Sequence, residues 1–326
     1  MTVSATELLS RAKRPQVDLS RARWAFPLGA TVLLWFVASG ISGHLSLDLL
    51  LDNVTLASFV GLVAVGQMVV VATGDGAFDL SIPYVMTLAA FVSAAVCNGQ
   101  DGNLPFAILA GLAAGLGAGL LNGALVTGPG LPPIVATLAT GYIAYTAILL
   151  MGGGAQLAVA PALTNFAQQS WHGLTLAVPA AVVIWVLIAV VRGETRYGVY
   201  LHAMGQNRTA AALAAVPVKA MVVSTFLLSG LLAAIAGVFL SGYVGGAFPD
   251  MADPYLIASV AAIVVGGTSV RGGESAIAAT LFGATTMELL TAVLELSGAG
   301  AGVQDIAEGT VIIVVVIAVT GRSGAR

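Results

Sequence analysis

All twelve lysines and arginines of this 326-residue chain fall in a few short stretches, and the long intervals between them carry no positive charge. Arg11, Lys13, Arg14, Arg21 and Arg23 stand at the start; Arg192, Arg196, Arg208 and Lys219 follow as a group, then Arg271, then Arg322 and Arg326. A water-soluble domain is not built this way, because about a quarter of its residues are charged, against 8% here with 58% hydrophobic. A bilayer core of about 30 Å takes about 20 mostly apolar residues per helix. Runs of that kind lie near 24–42, 54–73, 80–97, 105–127, 131–151, 174–192, 216–243, 254–268, 275–295 and 303–320. The expected fold class is therefore all-α, a polytopic helical membrane protein of about ten transmembrane helices. The run at 254–268 is short and TGDGAFDL interrupts the chain at 73–80, so broken or re-entrant helices are expected at both places.

Positive charge marks the cytoplasmic side of a membrane protein. With the N-terminus inside and ten crossings, every Lys and Arg falls on that side and both termini are cytoplasmic. The outer segments then hold His44, Asp48, Asp52, Asp101, Asp250, Asp253 and Asp305, with no Lys or Arg. The expected organisation is a cytoplasmic tail at 1–23, a membrane domain at 24–320 with a cytoplasmic loop at 193–216, and a short tail at 321–326. The first apolar run ends in VASGISG and is expected to stay as an uncleaved helix, since its removal would spoil the charge tally. A net charge of -3 gives no basic footprint for nucleic acid. Cys97 is the only cysteine, which excludes an intrachain disulfide and a cysteine-rich metal site.

An ionisable residue at mid-membrane costs about 3 kcal/mol, so each one asks for a partner or a watered path. Ala284, Glu288, Thr291 and Glu295 recur at helical spacing and place a polar stripe on one face of the 275–295 run. Two readings stay open: a hydrated pathway lining, or a hydrogen-bonded Glu between packed helices. Asp75 and Asp79 lie in the 73–80 break, where Asp79 or Ser81 is suited to cap the next helix and Pro83 to its first turn. A second Gly-rich break, GGTSVRGGES at 266–275, has the same form, with Ser275 placed to start the next helix; the pair hints at an internal repeat. Pro132 and Pro133 open the fifth run, and Thr137, Thr140, Tyr142 and Tyr145 add hydroxyls along it. These suit a polyhydroxylated solute, or bond their own backbone. No G-x-x-x-x-G-K-S/T phosphate loop, H-E-x-x-H or G-x-S-x-G motif occurs, and His44, His172 and His202 do not cluster. Active transport by such a chain needs an ion gradient or an ATPase on another chain.

In the cytoplasmic loop, Asn207 is a candidate N-cap for an Ala-rich helix from Arg208 to Val216 that Pro217 would terminate. So short a helix is unstable alone in water and must dock, on its own membrane domain or on a cytoplasmic partner.

Several segments together resemble a known family, the permease subunits of ribose-type sugar ABC importers, more distantly related to branched-chain amino-acid permeases. They are FDLSI at 78–82, NGALVT at 122–127, LPPIVATLAT at 131–140, RYGVYLHAMGQNRTAAALAAVPVK at 196–219, LSGLLAAIAGVFLSG at 228–242, IASVAAIVVGGTSVRGG at 257–273 and TLFGA at 280–284. The resemblance implies a ten-span permease of the bacterial inner membrane that pairs with a second permease subunit, identical or paralogous. It also implies two cytoplasmic ATPase subunits and an extracytoplasmic sugar-binding protein. ATP would sit on the separate ATPase chains, leaving this chain without catalytic, cofactor or metal residues. The loop helix then resembles an ATPase-coupling helix, with Gly205, Asn207, Arg208, Ala210, Ala211, Leu213 and Val216 as its contact set. Asp79, Ser81, Pro132, Pro133, Thr137, Tyr142, Glu288 and Thr291 are the pathway candidates, and Asp250 and Asp253 the candidates for docking the binding protein. One segment departs from the family's usual T-G-G-I-D-L-S-V-G: this chain has two more residues before Asp79, and Pro83 where Gly is typical. Two rivals remain, an ion-coupled secondary transporter using Glu288 and Asp79, and an intramembrane enzyme using the Asp75 and Asp79 carboxylates.

Overall fold

The structure is a computed structural model that describes residues 24–152, 156–171, 173–273 and 275–323. The tail expected at 1–23, the end of the other tail at 324–326, and His172 lie outside the described residues. Five helices come first: α1 Ala25–Ser42, α2 Leu47–Val71, α3 Ile82–Cys97, α4 Leu104–Thr127 and α5 Pro133–Gly152. A short helix, α6 Pro161–Gln168, and a two-stranded hairpin, β1 Ser170–Trp171 with β2 Leu174–Thr175, precede α7 Ala177–Glu194. Two small helices follow, α8 Arg196–Gln206 and α9 Arg208–Leu213, and the chain ends in α10 Val218–Val244, α11 Tyr255–Val265, α12 Ile277–Leu296 and α13 Ala301–Ser323.

Each of the ten apolar runs contains one helix. Among the described residues, seven helices are long and apolar enough to cross a membrane: α1, α2, α4, α5, α7, α10 and α12. The apolar helices α3 and α11 are shorter, at 16 and 11 residues, which by the 1.5 Å rise gives about 24 and 16 Å. The first follows the break expected at 73–80, and the second is the short run expected at 254–268, which ends in the Gly-rich break. The long α13 carries Gln304, Asp305 and Glu308 near its start.

The bundle is built around α2, whose most apolar window is 89% buried; α7, α10, α11 and α12 pack on it. The crossing between α4 and α10 is close. A Cβ on Gly115 would come within 2.4 Å of the Gly230 carbonyl, and one on Gly119 within 2.3 Å of the Phe226 carbonyl. Bare backbone there lets the two axes approach, which in a bilayer replaces the missing hydrophobic drive with close van der Waals contact.

The connections gather at two ends. At one end, Gly273 donates its N–H to the Ala72 carbonyl at 3.1 Å, the His202 ring meets the Gly273 carbonyl at 2.5 Å, and Arg192 donates to the Ser275 carbonyl at 2.6 Å. Arg208, Lys219 and Arg271 belong to these same connections, so this basic end is termed the inner end. At the other end, the Ala162 N–H meets Asp101 at 2.7 Å, and Leu157 pairs with Ala247. The grouping agrees with the alternation derived from the charges.

Four sequence expectations are corrected. The loop helix stops at Leu213 rather than Val216, because Ala215 turns left-handed at φ 60° and Val216 folds back to bond Ala211 at 3.0 Å. Ahead of it, 196–206 is a helix and not plain loop, capped by Thr195, whose side chain accepts from the Tyr197 N–H. Ser275 does not cap α12, which starts at Ile277 after extended Ala276; the Arg192 contact holds Ser275 by its carbonyl instead. The internal repeat also pairs differently: the breaks at 73–80 and 266–275 lie side by side at the inner end. The segment that echoes GAFDLSIPY at 76–84 is GAFPDMADPY at 246–255, which enters from the opposite end. Each copy leads through Pro-Tyr into a short helix, the pattern of an inverted repeat.

Candidate functional site

At the inner end, Asn207 accepts from the Ala210 N–H at 2.9 Å and caps α9, worth about 1 kcal/mol. The cap fixes which faces of this six-residue helix look in and out. Ala211 and Val216 are buried and tie the segment down, Arg208 and Gly205 are half-buried, and Asn207, Ala210 and Leu213 are exposed. Leu213 is 87% exposed, an apolar side chain left in the open on a polar end of the molecule. Arg208 reaches Asp75 at 2.8 Å, and Asp75 holds a left-handed backbone at φ 56°. The ion pair joins the loop helix to the turn that leads into α3. Asp75, Asn207, Arg208, Thr209, Ala212 and Val218 line an open depression of about 570 Å³ there.

Four residues beyond Asp75 the chain has turned back into the bundle. Asp79 is 1% exposed. Its N–H bonds Gln67 at 3.1 Å, one turn above the end of α2. One carboxylate oxygen accepts from the Ser81 N–H at 3.0 Å and the Ser81 hydroxyl at 2.5 Å, the other from the Ser229 hydroxyl at 2.7 Å. Asn122 donates to the Ser81 hydroxyl oxygen at 2.8 Å. Thus Asp79 caps the turn ahead of α3 and ties α2, α4 and α10 to it without any cation. Asp79 and Ser81 lie inside this network, closed off within the chain. The carboxylates of Asp75 and Asp79 do not converge: one faces Arg208, the other Ser229.

Pro132 is exposed and Pro133 half-buried at the inner start of α5. Thr137 is buried; its hydroxyl donates to the Pro133 carbonyl at 2.9 Å and accepts from the Leu80 N–H at 3.1 Å, fastening α5 to the break. Tyr142 is 61% exposed. It lies against Tyr84 of α3, centroids 6.0 Å apart, and Tyr145 meets the same ring at 5.8 Å. The Tyr84 ring crosses α5 at Gly141, where a Cβ would stand 2.6 Å from Cδ2.

Glu288 is half-buried on α12, with Glu308 and Glu295 near enough to act on it. Thr291 donates to Glu308 of α13 at 3.0 Å, so the stripe faces α13. Asp250 and Asp253 are both exposed in the segment before α11. An apolar cavity of about 410 Å³ between α2, α7 and α12, lined by Val54, Val178, Trp185, Leu281 and Phe282 among others, has too few polar groups to hold a hydroxylated solute.

Gln67, Asn122 and Ser229 were not singled out from the sequence: each is a single polar residue in an apolar helix, and although Asn122 and Ser229 fall within NGALVT and LSGLLAAIAGVFLSG, neither segment announces what they bond. The Arg208–Asp75 pair and the Tyr84–Tyr145 contact were equally hidden. The one available signal was the repeated G-A-F and P-Y flanking the two short helices.

A family model described as branched-chain amino acid transport system / permease component matches residues 49–320. A galactofuranose transporter permease protein of Escherichia coli is 31% identical, over 94% of this chain and 94% of its own. A ribose import permease protein of Bacillus subtilis is 32% identical over 79% of this chain and 80% of its own. An autoinducer 2 import system permease protein of Photorhabdus laumondii is 28% identical over 93% and 92%. No solved structure gives a significant match.

Proposed function

The chain belongs to the family of branched-chain amino acid transport system permease components, and from that premise we propose that it is the membrane-spanning permease subunit of a sugar-importing ABC transporter. It is a multi-pass protein of the bacterial inner membrane. The observation that carries the reading is the likeness to permeases of ribose and galactofuranose import over four fifths or more of the length. The solute it passes is a sugar or related polyol.

The finer parts of the reading follow from chemistry. ATP is bound and hydrolysed by two separate cytoplasmic subunits, since the chain has no phosphate loop. An extracytoplasmic binding protein delivers the sugar, and a second permease subunit completes the path. The loop helix α9 seats in the ATPase subunit: its outward face offers Leu213, Ala210 and the capping Asn207, while Ala211 and Val216 anchor it. Arg208 hands motion of α9 to Asp75 and so to the turn before α3. Of the two outer candidates, Asp250 is the one left to serve the outer side, where the absence of cations requires a binding protein that brings its own or docks by neutral contacts.

The test is purification of the chain with its candidate ATPase and binding protein from neighbouring reading frames, followed by ATPase measurement with pentoses, hexoses and polyols. Stimulation by a binding protein loaded with one of these sugars is the expected result. A chain that captures no ATPase subunit contradicts the reading.

A further inference from the structure

The two short helices bring polar and aromatic side chains to the middle of the bundle from opposite ends. Tyr84 enters from the inner end: Asp79, just ahead of α3, bonds Gln67, about one turn from the end of α2. Asp253 enters from the outer end, because α11 has only 11 residues and so reaches about 16 Å from its inner terminus. At that terminus Gly266 packs on Ala279 and Thr280, the start of α12. The two short helices touch, with Tyr84 in the first turn of one and Asp253 just ahead of the other. Tyr142 stands nine residues into α5, which begins at Pro133, about 14 Å along its axis.

Tyr84, Tyr142, Tyr145 and Asp253 thus share a depth near the centre of the span. Tyr142 is 61% exposed and Asp253 is exposed. A carboxylate at that depth facing hydrocarbon would cost about 3 kcal/mol, and a phenol would lack a partner. A watered path along this surface would remove both costs. No Lys or Arg occurs at 24–191 or 220–270, so the cluster holds nothing to pair with an anionic solute. Flat rings flanked by hydroxyls and one carboxylate match a neutral solute with apolar C–H faces and several hydroxyls.

We propose that Tyr84, Tyr142, Tyr145 and Asp253 form a mid-membrane contact site for the sugar in transit. The Tyr142 ring stacks on the C–H face, and the phenols and the Asp253 carboxylate exchange hydrogen bonds with its hydroxyls. Gly141 belongs to the site by letting the Tyr84 ring come close to α5. The proposal rests on the permease reading and names the place where that path recognises its solute.

The full chain, assembled with its ATPase subunits and reconstituted in vesicles, tests it in two arms. In the first, Tyr142→Cys and Asp253→Cys are exposed to a membrane-impermeant cationic thiol reagent; the parent's one cysteine, Cys97, is buried and serves as the blank. Labelling of both is expected, slowed by D-ribose or D-galactose and not by L-leucine. Absence of labelling in Tyr142→Cys within an assembled complex, as under lipid or a second copy, overturns the site, as does equal slowing by leucine. In the second arm, uptake of the labelled sugars is measured with the binding protein present. Tyr142→Leu is expected to lower uptake about tenfold, the scale of one lost stacked ring with its hydrogen bond, and Tyr142→Phe to restore most of it. Parental uptake in Tyr142→Leu overturns the proposal. Where the parent takes up sugar but position 142 stays unlabelled, only the site fails; where position 142 is labelled but the parent takes up neither sugar, the permease reading fails and the proposed occupant with it.

Discussion

Asp79 shows how a carboxylate can be kept inside an apolar bundle without a cation. Its two oxygens take three hydrogen bonds from Ser81 and Ser229, with Asn122 behind. Such a closed set is costly to open, since each buried donor left without an acceptor costs about 1–3 kcal/mol. Asp79→Ala is therefore expected to lower the thermal unfolding midpoint of the detergent-solubilised chain by several degrees, and Asp79→Asn by less. Equal midpoints for Asp79→Ala and the parent would show that the network does not hold the fold. The sequence marked Asp79 as the acid of a helix break, and capping was the expected role. Its partners were not legible, because Gln67, Asn122 and Ser229 stand 12, 43 and 150 residues away and only packing brings them together. Tyr142 was legible as a hydroxyl-bearing aromatic on the fifth run, whereas its meeting with Tyr84 depends on how two helices cross.

At the scale of elements, α8 and α9 convert a polar loop into a docked device. The N-cap at Asn207 was readable from the sequence as a local pattern. The end of α9 was not, because Ala215 adopts a left-handed turn that its residue type does not announce. The contact between Arg208 and Asp75 is partly exposed, at 34% and 63%, and exposed ion pairs contribute at most about 1 kcal/mol to stability. In the proposed reading its role is in transmission rather than in stability. Single reversals, Arg208→Asp or Asp75→Arg, are expected to leave the unfolding midpoint within a degree or two and to raise the ATP hydrolysed per sugar imported. The double exchange should return that ratio toward the parent. If the double exchange is as uncoupled as either single variant, the pair does not carry the motion. The short helices α3 and α11 were foreseen as breaks from their Gly-rich flanks. Their inverted relation was not, since the G-A-F and P-Y echo means little until the two segments are seen to enter from opposite ends.

For the whole molecule, the distribution of charge set the architecture before any contact was known. Placing every Lys and Arg on one side predicts which connections lie together, and the described ones do gather at one end around Ala72, His202 and Gly273. The all-α membrane class was legible for the same reason, and among the described residues seven helices are long and apolar enough to cross. Which apolar runs fall short of a full crossing needed the helix bounds. The same asymmetry leaves an inner end suited to an ATPase and a path without cations, consistent with neutral cargo. The central claim is that transport through this chain is driven by ATP on another subunit. The most direct measurement is uptake of labelled sugar into vesicles containing the chain, its ATPase and its binding protein. The account predicts uptake that requires ATP and both partners and persists when a protonophore and a sodium ionophore are added. Uptake that continues without the ATPase subunit and collapses with the ion gradient would contradict it and make the chain a secondary transporter.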